Sequence, residues 1–496
     1  MKDADQSLVS WRTGLLSLDT VALLYVAVPN IIFLSTWIVA PWGWIAGCAV
    51  ALCVLSMIPR AKGTFRISGF GRRWWLIFAL ATGWCVAGGL GHLVYANIDW
   101  IVRDAVLVDL VREPWPVRYH IGGEALLLRS AIGYYLPAAL VGKVTSIHFA
   151  DFASLAWTIF GVVLTFMFLL RDRPGWSTCF IRLAVFVLFS GMDIVPTVVR
   201  NYSYAPGAMI EWWGRYISFQ SQTTSLFWAP NHTMSVWIAT AWLATQPFRA
   251  ISIRHALLFV ILIPLSSPIA ALGVALFVAA VIVHRSLTGQ VEKVVYEVLD
   301  LRIILTGAVS VFLVFPYLVA GSGEIRSGFF WDLPWVGEDF LPRYMEFVLV
   351  EFLIVSIVLL LHRPRDPLLW LATGLLLALP LYRFGPFNDL SMRGSIPGLE
   401  ILAIRLGTWM GEWVTTGPVR QRRVLQWVAA ALLGVGSITP LLEFARPVVL
   451  AAWPMDTRKS VVEVSHGASH YVTPNEGGWV RHILDPVTRW QGPEGP

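Results

Sequence analysis

Charge is scarce in this chain: Asp, Glu, Lys and Arg make up 14% of it, against 56% apolar residues. A soluble protein is roughly a quarter charged, and a chain of 496 residues could not hide this much apolar surface in one water-bounded core. A soluble enzyme and a disordered scaffold are therefore excluded. Cysteine is nearly lacking as well. Cys48, Cys53, Cys85 and Cys179 all lie in apolar runs, without zinc-ligand spacing and without the polar-loop pairing of a disulfide-stapled secreted domain. No glycine-rich phosphate loop adjoins a strand and helix, which argues against a nucleotide-driven enzyme. The spread of His92, His120, His232, His466 and His470 gives a zinc site no local support. Internal repeats and low-complexity tracts are absent. The net charge of +6 is scattered over short loops and forms no basic patch, so nucleic acid is not expected as a partner.

What the sequence does contain is a series of apolar runs, and about 20 such residues cross a bilayer as a helix. They begin near Thr20, Pro41, Trp75, Asp151, Thr178 and Met234, and again at Ile303, Tyr344, Pro367, Ile396 and Val424. Between them, His255 to His284 is broken at Pro264-Leu-Ser-Ser-Pro268 and reads as a bent hairpin of two short helices returning to one side. The leading residues carry Asp3 and Asp5 and lack a small-residue cleavage site, so the first run reads as an anchor. The expected fold class is all-α and polytopic, with about 13 transmembrane helices.

Orientation follows from lysine and arginine, which favour cytoplasmic loops. The stretch Arg60 to Arg73, Arg171/Arg173, Arg249/Arg254, Arg285 to Arg302, Arg363/Arg365 and Arg420/Arg422/Arg423 place those loops inside. This puts the N-terminus in the cytoplasm and the C-terminus outside. Residues 1–74 then hold two N-terminal helices and a basic loop. Residues 75–444 form the core, with outer loops 96–150, 200–233, 321–343 and 383–395, and 445–496 form a polar tail packed over those loops. Leu126 to Lys143, with Tyr134-Tyr135-Leu-Pro137, reads as a helix lying flat at the interface. Ser286 to Asp300 reads as a solvated connector.

The acidic and aromatic residues gather in the outer loops, in three groups. The first is Asn97-Ile-Asp99-Trp100-Ile-Val-Arg103-Asp104, followed by Asp109. Asp99 at the end of a span could take a proton from a hydroxyl, or cap the next helix; Asp104 and Asp109 continue on a solvated face. The second runs from Asp193 through Glu211-Trp212-Trp213 and Arg215 to Phe227-Trp228 and Asn231-His232. Asp193 lies close to hydrocarbon, where a charge is costly and marks function by default, unless it pairs with Arg200. Trp212, Trp213 and Trp228 read as interfacial anchors or as a sugar-stacking platform, and His232 as a base, a phosphate partner or a cap. The third is Arg383 with Asn388-Asp389 and Arg393. Here two guanidinium groups suit a phosphate emerging from the bilayer, or Asp389 and Arg393 form a helix-start ion pair. Asn201-Tyr-Ser203 and Asn231-His-Thr233 match the glycosylation sequon, a pattern frequent by chance.

A span ending at Asp99, Arg103 one turn on, the element Trp115-Pro-Val and then Gly133-Tyr-Tyr-Leu-Pro-Ala-Ala-Leu-Val-Gly-Lys143 before a new span resembles the first outer loop of the GT-C membrane glycosyltransferases. It is similar in particular to the bacterial aminoarabinose and mannosyl transferases. The resemblance implies a bacterial inner-membrane enzyme with flat interfacial helices in that loop. Its donor would be a polyprenyl-phosphate sugar and its acceptor a lipid or glycan on the outer face. Asp99 would be the catalytic carboxylate, assisted by Asp104 or Glu211. The substrate would be met by Arg103, Asp193, Trp212, Trp213, Trp228, His232, Arg383, Asp389 and Arg393. No organic cofactor is implied, and a divalent metal is left open. The chain differs in having two extra leading spans, Asp-Trp in place of an acidic pair, and no large outer domain. A transporter or flippase is the alternative reading, carried by the broken hairpin and by Asp193, Glu346 and Glu351. A polysaccharide polymerase or ligase is a third.

Overall fold

The computed structural model describes residues 17–57, 71–121, 124–172, 174–200, 207–214, 217–320, 325, 327–332, 340–385, 387–417, 423–464, 471–474 and 480–484. Asp3 and Asp5, most of the first basic loop, the 201–203 sequon, Arg215, His466 and His470 lie outside the described residues.

The protein is mostly helical. Six helices among the described residues are long and apolar enough to cross a membrane: Leu18–Trp37, Ile147–Leu169, Pro268–Leu287, Leu301–Val319, Phe340–His362 and Arg423–Val449. Trp42–Ser56, Arg73–Ala87, Trp176–Leu188, Ile253–Leu265 and Pro367–Leu381 are apolar but shorter. Ile396–Thr416 has the length but carries Glu400, Arg405 and Glu412, and it packs along Trp176–Leu188. Local signals set the helix ends. Ser17 caps the first helix by accepting the Thr20 amide at 3.1 Å, as an N-cap serine should. Asn30, after the internal Pro29, donates to Leu262 O at 2.8 Å. That bond satisfies a carbonyl left over at the end of Ile253–Leu262.

Aromatic side chains lock four helices together. Trp84 stacks on Trp237 (ring centroids 5.4 Å apart) and on Phe166 (5.8 Å), and Phe186 meets Trp237 edge-on at 5.2 Å. Such pairs add to the burial of their large apolar faces. Beyond Trp84 the helix Arg73–Ala87 stops at Gly88-Gly89. A side chain at Gly88 would strike the Phe227 ring, and Gly89, at φ +84°, lies against Ala96. Only glycine permits that close turn.

Three expectations are corrected, and a few short strands accompany the helices: Arg118–Ile121 and Glu124–Leu128 form an antiparallel hairpin, and the tail strand Val472–Pro474 adds to it with Leu128 opposite Val472. A second ribbon pairs Ser327–Phe329 with Tyr382–Phe384. The helix expected over 126–143 is therefore confined to Leu136–Val144, with Tyr134 and Tyr135 buried before it. The broken segment has a second arm of full length, Pro268–Leu287, with the break at Ser266-Ser267. The 286–300 connector is also more than a solvated link: Glu297 is buried, pairs with Arg285 at 3.0 Å and accepts the Ile253 amide at 2.9 Å.

The tail packs against the segment that follows the helix Arg73–Ala87 and against the first hairpin. Trp453 Nε1 donates to Ala96 O (2.8 Å) and Arg129 N to Tyr471 O (2.7 Å). Asp109 Oδ2 accepts from Tyr119 (2.6 Å), Ser460 (2.9 Å) and the Val461 amide (2.9 Å). Asp109 is thus buried and not on a solvated face. Burial raises its pKa, while these three donors pull it back down.

Candidate functional site

The turn before the helix Trp100–Arg112 is fastened to the C-terminal end of Gln222–Trp228. Asn97 Nδ2 (2.7 Å) and Trp100 Nε1 (3.0 Å) both donate to Phe227 O, which no helical amide can reach. Asn97 Oδ1 takes the Asp99 amide at 3.1 Å. Asp99 occupies the N-cap position, yet its carboxylate makes no capping bond. Instead it turns forward to Arg103 Nη2 at 3.2 Å. The Asp99 side chain is 44% exposed and that of Arg103 9%. The result is a half-open carboxylate above a buried guanidinium. Arg103 also donates to Asn231 Oδ1 at 2.5 Å and hydrogen-bonds the Tyr135 side chain.

Arg393 approaches from the short helix Asp389–Gly394. Asn388, at φ +56°, begins that helix, donating to Ser391 Oγ at 2.9 Å and accepting the Phe384 amide at 3.3 Å. The left-handed conformation suits asparagine better than most residues. Arg393 donates to Gln220 Oε1 at 3.3 Å, and its Nε lies 3.8 Å from Asp389 Oδ1, beyond hydrogen-bond reach. Burial lowers the Arg393 pKa, Asp389 opposes this, Arg103 lowers it further and Asp99 raises it. His232, at the start of Pro230–Ala244, is close enough for both Arg393 and Arg103 to act on it. Tyr471, from the tail, interacts with Arg103, Asp99, Arg393 and Asp389.

Five residues selected from sequence thus converge: Asp99, Arg103, His232, Asp389 and Arg393. Both readings of the Asp389–Arg393 spacing are compatible, because the two residues face each other while Arg393 keeps donors free. Buried and without a hydrogen-bond partner are Arg103 Nε, Arg393 Nε and His232 Nδ1. Unmatched buried polar groups are costly. Two guanidinium groups with a free donor each suit an anion with several acceptor oxygens.

The remaining selected residues stand elsewhere. Asp104 is not on a solvated face: it is buried, with Oδ2 3.0 Å from His92 Nε2, and Asp151 Oδ2 is 3.1 Å from His92 Nδ1. Burial works against the His92 charge, but the two carboxylates outweigh it and hold the imidazole pKa up at about 9. Burial raises the Asp104 pKa, and His92 offsets part of that. Trp100 and Trp453 rings close around the imidazole.

Asp193 does not pair with Arg200, which pairs with Glu346. It accepts from Trp213 Nε1 (3.0 Å), Ser190 (3.1 Å) and Thr439 (2.8 Å), and the same indole lies 3.0 Å from Glu351 Oε1. Glu211 belongs to this second group. It takes the Ser221 amide at 2.8 Å, and burial followed by Asp193 and Glu443 pushes its pKa up. Trp213 and Trp228 are buried and so are not interfacial anchors. Trp228 donates to Glu443 Oε2 at 2.9 Å beneath the Arg446 guanidinium. Trp212 is exposed, edge-on to Phe387, and Arg383 donates to Gly385 O at 3.2 Å on the second ribbon.

Sequence reading gave no role to Tyr135, Gln220, Asn231 and Tyr471 in the first group, nor to His92 beside it. The only signal for His92 was Gly88-Gly-Leu-Gly-His92, a turn that brings the imidazole back onto the next helix. Among the described residues no three His, Cys, Asp or Glu side chains are placed to hold a metal; both ring nitrogens of His92 already face carboxylates. Comparison with protein-family models, curated proteins and solved structures returned no match.

Proposed function

We propose that this protein is a membrane glycosyltransferase of GT-C type, moving a sugar from a polyprenyl-phosphate donor to a lipid or glycan acceptor on the outer face. One observation carries the reading. Buried Arg103 and Arg393, from distant parts of the chain, each keep an unmatched Nε, and both interact with the half-open carboxylate of Asp99. That combination suits a phosphate leaving group with a base at hand.

In the proposed reaction an acceptor hydroxyl attacks the anomeric carbon with inversion. Its oxygen forms the new bond as the bond from that carbon to the phosphate oxygen breaks, and the electron pair leaves on the phosphate. Asp99 takes the hydroxyl proton. Arg103 and Arg393 bear the charge that grows on the leaving phosphate, and stabilising developing charge is usually the largest catalytic contribution. Asn231, Tyr135 and Gln220 hold the two guanidinium groups in place. Asp104 and Glu211 have no part in this scheme, because His92 and Ser221 engage them away from Asp99.

The transporter reading rests on the hairpin broken at Pro264–Pro268 and on Asp193, Glu346 and Glu351. In its disfavour, Asp193 and Glu351 are bound to a common indole and Glu346 to Arg200.

In proteoliposomes supplied with polyprenyl-phosphate sugars, the unaltered protein is expected to release polyprenyl phosphate when acceptor lipid is present. Movement of the intact donor between leaflets with no release would favour transport and reject the transferase reading.

A further inference from the structure

At the end of the bundle opposite to Asp99, three arginines from two segments line a cavity of about 420 Å³ with Gln246, Phe248 and Leu368. Arg405 Nε donates to Asp366 Oδ2 and its Nη1 to Ala244 O, both at 2.6 Å. Arg363 Nη2 donates to Glu412 Oε1 at 2.9 Å. Each guanidinium is therefore aimed by one carboxylate and retains further N–H groups. The third, Arg365, is exposed and makes no ion pair or hydrogen bond among the described residues. Of the lining residues only Asp366 is acidic, and Arg405 and the Leu368 amide already engage it. Pro247, Pro364 and Pro367 stiffen the rim, since proline fixes its own backbone angle.

We propose that this cavity is a binding site for a phosphate-bearing anion, separate from the site at the other end. Guanidinium groups match phosphate oxygens in pairs. Three arginines lining one space of this volume suit a phosphate with a small substituent, while Phe248 and Leu368 offer it an apolar wall. The loops here are those whose arginine content assigns them to the cytoplasm. Anionic lipid of that leaflet and free phosphate in solution share the required chemistry.

Native mass spectrometry of the detergent-purified protein with dioctanoyl phosphatidic acid tests the proposal. Arg365→Gln should weaken one binding event about tenfold, and the pair Arg363→Gln/Arg365→Gln should remove it. Arg393→Gln, at the opposite end, should leave that event in place. Arg365 has no partner to lose, so its replacement does not threaten the fold. Competition by millimolar inorganic phosphate would identify free phosphate as a sufficient ligand; persistence of the lipid against it would identify the headgroup. Equal phosphatidic acid binding in the unaltered protein and in both variants would overturn the site.

Discussion

Asp99→Asn is expected to lower the turnover number for sugar transfer by about a hundredfold or more, the range lost when a general base is removed, with little change in KM. Asparagine keeps the shape and an acceptor oxygen for Arg103, which also retains Asn231 and Tyr135. The side chain is nearly half exposed, so the variant should fold and insert normally. Rates in proteoliposomes, with thermal unfolding of the same preparation as control, check both halves. A rate within a factor of a few of the unaltered protein would remove Asp99 from the chemistry. A KM effect alone would make it a binding group.

The second large effect concerns stability. His92→Leu leaves Asp104 and Asp151 facing an apolar group in a buried place, and breaking a buried ion pair from one side costs roughly 3–5 kcal/mol. Because these contacts anchor the helix that begins at Trp100, the substitution should also disturb Asp99. The dependence on pH has a definite sign. The His92 pKa is raised from 6.5 to about 9, so its charged form stabilises the native state fully below about pH 6.5. That contribution declines above it and is lost as pH passes about 9. Unfolding of the unaltered protein should therefore become easier across that window, and His92→Leu should flatten the decline. An unchanged slope, or a variant as stable at pH 6 as the parent, would show that the imidazole is not charged between its two carboxylates.

Part of this arrangement was legible in the sequence. Asp99 and Arg103, like Asp389 and Arg393, are four residues apart, which fixes them as neighbours on any helix. Scarce charge and long apolar runs announced a helical membrane protein. Their convergence was not legible. Asn231 meets Arg103, and Gln220 meets Arg393, only through helix packing, and single neutral amides carry no spacing signal. The tail strand was hidden for a similar reason, since Val472–Pro474 pairs with Leu126–Leu128, far earlier in the chain. The tryptophans misled through chemistry. Indoles at the ends of spans usually face the membrane interface, but Trp213 and Trp228 spend their N–H groups on buried carboxylates.

The most direct measurement is site-directed labelling at position 99. With Cys48, Cys53, Cys85 and Cys179 replaced by alanine, Asp99→Cys is treated with a membrane-impermeant maleimide in sealed vesicles of known orientation, with and without polyprenyl phosphate. The account predicts modification from the outer side only, with protection by polyprenyl phosphate that disappears when Arg393→Gln is added. Modification from the inner side, or a rate indifferent to polyprenyl phosphate, would contradict it.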